Sequence, residues 1–164
     1  MKSSPVLSFL RKTVPFFICF IIILLSQIPN ARFIFDTLIF IPIFYFAIFR
    51  PTILNVCAVF GLGLFADLIN QTPLGILPFT FVLLFFIARF NRLFLKDLSF
   101  KTLWIFFGFC STLLLLIQLF LFTLSEGTTV HTKFFFQQLT VLILIYPVGI
   151  HFFARLNDWI GDTE

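Results

Sequence analysis

Apolar runs recur from one end of this chain to the other, at residues 14–28, 34–49, 51–69, 76–90, 102–124 and 134–153. Helical stretches of about 20 apolar residues match the ~30 Å hydrocarbon core of a bilayer, and they cannot all be buried in a core as small as one domain's. With 60% of the residues apolar and 11% charged, the composition lies outside the range of soluble globular domains. The expected fold is therefore an all-α integral membrane protein, with six transmembrane helices in one bundle. Residues 1–164 form a single polytopic membrane domain in this reading, because the longest polar gaps hold only about ten residues.

Local chemistry sets the ends of these runs. Met1 to Thr13 reads as a basic amphipathic leader, with Lys2, Arg11 and Lys12 ahead of the first span. No small-x-small cleavage site follows Leu25, so that span is expected to stay uncleaved. Pro42 falls mid-way in the second run and predicts a kink there. Pro51 suits the first turn of the third, where a missing amide breaks no bond. The fourth run covers only about 22 Å, so an earlier start at Pro73 and a snorkelling Arg89 would help it span. Trp104 and Trp159 are candidate interfacial anchors, and Ala154 to Glu164 reads as a polar tail.

Six spans put both termini on one side. With that side cytoplasmic, Lys2, Arg11, Lys12, Arg50, Arg89, Arg92, Lys96, Lys101 and Arg155 lie inside, and only Arg32 and Lys133 lie outside. This is the positive-inside pattern, and it explains the net charge of +4 without nucleic acid. The basic connection from Arg89 to Lys101 reads mainly as a topology determinant, with anionic lipid headgroups or an acidic cytoplasmic partner as further candidates.

One stretch breaks the apolar monotony, from Gly61 to Gly75. Asp67 sits at the end of the third span, where a lone carboxylate is expensive in hydrocarbon and faces protein or water instead. Helical spacing puts Asn55, Gly63 and Asp67 on one face. Gly61 and Gly63 remove side chains where another backbone can come close. Asn70, Gln71, Thr72 and Pro73 then end the helix, and Gly75 closes the turn. The candidate partner and helix-packing residues are thus Asn55, Gly61, Gly63, Asp67, Asn70, Pro73 and Gly75. Two readings of Asp67 stay open, a polar anchor between helices or a helix-end acid that reaches interfacial water.

Little in the chain points to catalysis. Cys19, Cys57 and Cys110 lie in apolar runs without metal-ligand spacing and read as small buried hydrophobes. His131 and His151 flank the last span, some 30 Å apart along a helix, so they cannot share a metal. No nucleophile elbow or phosphate-binding loop is present. Gln118, Gln137 and Gln138 read as interhelical hydrogen-bonding groups, with a substrate-lining role as the alternative. The expectation is a non-enzyme, without cofactor or metal.

Gly63-Leu64-Phe65-Ala66-Asp67-Leu68-Ile69, the short polar turn and Leu74-Gly75 resemble the signature of the rod shape-determining protein MreD family. The likeness extends to the length, the basic amino end, Arg50-Pro51 at the start of the third span, and a break at Tyr146-Pro147 with Arg155 beyond it. Many relatives show a proline where this chain has Phe35-Asp36. The resemblance implies a non-enzymatic scaffold subunit of the bacterial cell-elongation machinery, in the cell inner membrane. Its implied partners are an MreC-like periplasmic protein with a transmembrane helix and, indirectly, the MreB cytoskeleton, RodA and a penicillin-binding transpeptidase; membrane lipid and a second copy of the chain are further candidates. The family is similar in fold to the substrate-binding subunits of energy-coupling-factor transporters. From that likeness comes the rival reading, a vitamin-type solute-binding subunit with Asp67, Asn70, Asn30 and Arg32 lining a pocket near the outer face.

Overall fold

A computed structural model describes residues 5–26, 37–50, 54–126 and 132–161, and among them the chain is all-helical, with seven helices and no strand. These are α1 (Pro5–Leu25), α2 (Phe40–Phe49), α3 (Val56–Asn70), α4 (Ile76–Phe90), α5 (Arg92–Lys96), α6 (Phe100–Glu126) and α7 (Thr132–Gly161).

The ten-residue helix α2 is the centre of the bundle. Phe40 to Ile48 are all buried, so this helix is apolar on every side because every side meets protein. Its aromatic side chains reach three neighbours. Phe40 meets Phe81 of α4 edge-on at 5.7 Å, Phe44 meets Phe107 of α6 at 5.0 Å, and Phe46 meets Phe153 of α7 at 5.6 Å. Tyr146 of α7 completes the cluster by stacking on Phe107 at 4.2 Å. Offset and edge-on geometries of this kind add to simple area burial.

Several ends differ from the sequence reading, each for a physical reason. The second run is not one continuous helix: Thr37 and Leu38 are helical and Ile39 is a turn residue, so the expected break falls beside Pro42, whose missing amide leaves the Leu38 carbonyl without its helical donor. The helix starts at Phe40 after a turn at Ile39, which places Pro42 in the first turn, where no backbone donor is required of it. The third helix starts at Val56, because Asn55 is extended (φ −98°, ψ 153°). The fourth matches its run, Ile76 to Phe90, without the earlier start at Pro73, and begins behind a left-handed Gly75. Within the basic connection a short helix, α5, forms. The expected leader is part of one helix from Pro5, and the expected polar tail continues α7 to Gly161. Asn30, Arg32, Asp36, Pro51, His131 and the side chains of Lys133 and Trp159 lie outside the described residues.

Pro147 lies inside α7 without ending it. A proline leaves the carbonyl four residues back without its helical donor, here that of Ile143. Trp104 of α6 supplies the missing donor: its indole N–H donates to the Ile143 carbonyl at 3.1 Å. Trp104 is therefore a cross-helix donor as well as an aromatic near a helix end. Arg92 acts comparably on α2, where its Nε donates to the Ile48 carbonyl at 2.8 Å and caps the C-terminus of that helix.

Two stretches among the described residues, Phe100–Ser125 and Phe136–Arg155, are long and apolar enough to cross a membrane. Only 28% and 22% of their most apolar windows are buried within the protein. Phe109, Phe120, Leu144 and Val148 all point outward.

Candidate functional site

The site is built where α3 hands over to α4. The last turn of α3 ends with Gln71 in the left-handed region (φ 53°, ψ 34°), and the amides of Gln71 and Thr72 both return to the Asp67 carbonyl. This closes the helix in the manner of a C-terminal left-handed cap, with glutamine rather than glycine in the strained position. The chain then turns through Thr72, Pro73 and Leu74 to Gly75, whose φ of 105° is a conformation that L side chains rarely adopt.

Asp67 is fully buried, and its carboxylate faces the start of α4. Oδ2 accepts the Gly75 amide at 2.7 Å, and Oδ1 accepts the Thr72 hydroxyl at 2.7 Å and the Leu77 amide at 3.3 Å. Gly75 and Leu77 are among the amides that a helix start leaves without partners, and the positive end of the helix dipole favours an anion there. A carboxylate from the preceding helix thus does the work that a local N-cap side chain usually does. Of the two readings of Asp67, the geometry has the carboxylate bonded between helices rather than reaching interfacial water.

Gly63 makes that reach possible. A Cβ built on Gly63 would stand 2.4 Å from Pro78 Cα and 2.7 Å from Pro78 N, so the two backbones touch where α3 crosses α4. Pro78 is in the first turn of α4, where its absent amide leaves no bond unmade. Asn70, also buried, extends the polar cluster to α1, since the Ser26 hydroxyl lies 3.4 Å from Asn70 Oδ1 while donating to the Ile23 carbonyl at 2.6 Å.

The structure thus brings Gly63, Asp67, Asn70 and Gly75 together, with Pro73 half-buried in the turn between them. Asn55 does not join them. It is exposed at the start of α3, outside the helix, and an offset of twelve residues is about 120° away from the Asp67 face. Gly61 is exposed too, and a Cβ there would meet nothing within 4 Å. It opens into a groove of ≈ 390 Å³ between α1 and α3, lined by Phe16, Phe20, Cys57, Ala58, Gly61, Leu62 and Phe65.

Sequence reasoning named Thr72 only as part of the helix end, and Leu77 and Pro78 not at all. The available signal was Gly75-Ile76-Leu77-Pro78, a left-handed residue followed by a first-turn proline, with an unpaired acid one helix earlier. The buried carboxylate accepts three hydrogen bonds, two on Oδ1 and one on Oδ2, and no group of three or more His, Cys, Asp or Glu is placed to hold a metal among the described residues. Ser111 Oγ, Gln118 Oε1 and Tyr146 OH are buried without a hydrogen-bond partner among the described residues. Comparison with protein-family models, curated proteins and solved structures found no match to this chain.

Proposed function

We propose that this chain is a multi-pass scaffold of the bacterial cell inner membrane, of the MreD type, that holds a partner's transmembrane helix and helps position peptidoglycan synthesis. The observation that carries the reading is the use made of the signature-like residues. Gly63, Asp67 and Gly75 hold one helix crossing together and leave no reactive group displayed, which suits an architectural protein. Membrane insertion is supported by α6 and α7, whose apolar side chains face outward in the reverse of a soluble core helix. Lysine and arginine placement supports cytoplasmic termini.

In this reading the partner helix docks in the groove beside Gly61, not at Asp67. Cys57, Ala58 and Gly61 are small and would let a second helix approach closely. Affinity capture from mild detergent, with mass spectrometry of bound proteins and small molecules, tests this. Recovery of an MreC-like protein, lost in Gly61→Leu but kept in Gly108→Leu, is the expected result; a Cβ at Gly108 also meets open space. Equal recovery in both variants would remove the groove from the reading. The solute-binding alternative draws on the unpartnered Ser111 and Gln118 atoms, two turns apart on one face of α6. A vitamin-sized molecule bound one to one would favour it.

A further inference from the structure

From the region of α4's last turn, α5 and the start of α6, at the end of α4 remote from Asp67, we infer a binding surface for anionic phospholipid headgroups. The inference rests on the membrane reading above and adds a ligand to it. Phe90, Leu93 and Phe94 are 90%, 83% and 65% exposed, the most uncovered cluster of large apolar side chains at a helix junction among the described residues. Phe90 ends α4 and Leu93 and Phe94 lie in α5, so the three flank the turn at Asn91. Leu95 points the other way and is fully buried. So α5 is anchored to the bundle by one face, and Arg92 is committed to the Ile48 carbonyl.

Beside the apolar cluster stand exposed Arg89, Lys96 and Lys101, with Asp97 the one acid between residues 89 and 101. A surface that pairs uncovered aromatic and leucine side chains with a surplus of cations matches the acyl–headgroup boundary of a negatively charged leaflet. The rings enter the acyl edge while the ammonium groups meet phosphate. Long, flexible lysines suit this better than a fixed protein partner, because a phosphate layer offers many equivalent positions. An acidic protein would gain from the cations but would leave Phe90 and Leu93 unexplained. Each cation near such a surface changes partitioning roughly fivefold.

The test uses the purified full chain in mild detergent, stripped of lipid and offered an equimolar mixture of phosphatidylglycerol and phosphatidylcholine. Native mass spectrometry reads the lipids retained. Phosphatidylglycerol should exceed phosphatidylcholine by about tenfold or more, by the per-charge effect above. K96Q/K101Q should lower that ratio at least fivefold, K96R/K101R should keep it, and F90S/L93S/F94S should lower retention of both lipids. A ratio near one in the unaltered chain overturns the proposal, as does a K96Q/K101Q chain that keeps its preference. Displacement of the lipid by millimolar inorganic phosphate would reassign the cations to a soluble anion. Salt-sensitive capture of an acidic protein without lipid preference would reassign the surface to that partner. Carbonate extraction of cell membranes separates the two readings: a chain that resists extraction yet shows no lipid preference loses this inference and keeps its membrane placement.

Discussion

Adding a single methyl at Gly63 tests how the fold is held. In Gly63→Ala the new Cβ would lie 2.4 Å from Pro78 Cα, against a comfortable carbon–carbon separation of about 3.5–4.0 Å. The opposing atoms are backbone, so no rotamer relieves the clash, and α3 and α4 must part by more than about 1 Å. Overpacking of this kind costs about 1–3 kcal/mol. The same movement stretches the 2.7 Å bond from the Gly75 amide to Asp67 past hydrogen-bonding range, leaving a buried carboxylate under-satisfied for about 1–3 kcal/mol more. Against this stands about 1 kcal/mol gained in helix propensity when glycine becomes alanine. A net loss of roughly 1–5 kcal/mol is expected, equivalent to about 2–20 °C in the heating midpoint for a chain of this size. Gly61→Ala is the matched control, with the same propensity gain in the same helix and open space around the new methyl. The assay is the fraction of monomer surviving a heating series in mild detergent, read by fluorescence-detected size exclusion. Gly63→Ala should fall well below the unaltered chain and Gly61→Ala should match or exceed it. Equal midpoints for the two variants would refute the close crossing of α3 and α4.

Asp67→Ala leaves the Gly75 and Leu77 amides and the Thr72 hydroxyl without an acceptor, and should lower the same midpoint by the equivalent of about 2–4 kcal/mol; Asp67→Asn keeps one acceptor and should fall between. Identical midpoints for all three chains would mean the carboxylate is not holding the turn. Trp104→Phe removes the donor to the Ile143 carbonyl and should cost about 1–3 kcal/mol, but far less in a Pro147→Ala background, where residue 147 regains its own amide; strict additivity of the two changes in a double-mutant cycle would rule out this account. Topology is checked with single cysteines in a chain freed of native ones: Thr72→Cys should label from outside the cell and Ser99→Cys should not, and the reverse pattern would invert the proposed orientation.

Helix positions were legible because apolar periodicity and proline placement act locally. The errors concentrate where tertiary contacts decide. Pro42 in the middle of an apolar run reads as a kink, and the helix is interrupted beside it at Ile39; that a new helix restarts at Phe40 with Pro42 in its first turn was not legible. Nothing local could indicate that α2 would be buried on all sides, because an all-round apolar helix looks alike whether protein or lipid surrounds it. Asn55 shows the limit of helical-wheel reasoning: it lies outside the helix, and at about 100° per residue an offset of twelve from Asp67 falls roughly 120° away from that face in any case. The Trp104 to Ile143 bond was equally out of reach, since the donor and the carbonyl that Pro147 leaves open are on different helices.

The acid itself was conspicuous in the sequence, but its partners were not, and that difference shifts the functional argument. An acid in an apolar helix reads from sequence as something displayed, to a partner, a proton or a solute. Here the acceptors of Asp67 are taken by a hydroxyl and two amides that lie five to ten residues downstream, so the charge is spent inside the chain. The interaction surface then has to be sought where small residues are open rather than where polar ones are closed. Gly63 and Gly61 are two residues apart and separate these cases: one touches Pro78, and the other faces a groove that a further helix can enter. A rigid α3–α4 crossing gives that groove a fixed wall, and in the proposed scaffold the buried acid would serve partner docking by holding still the helix that carries Gly61.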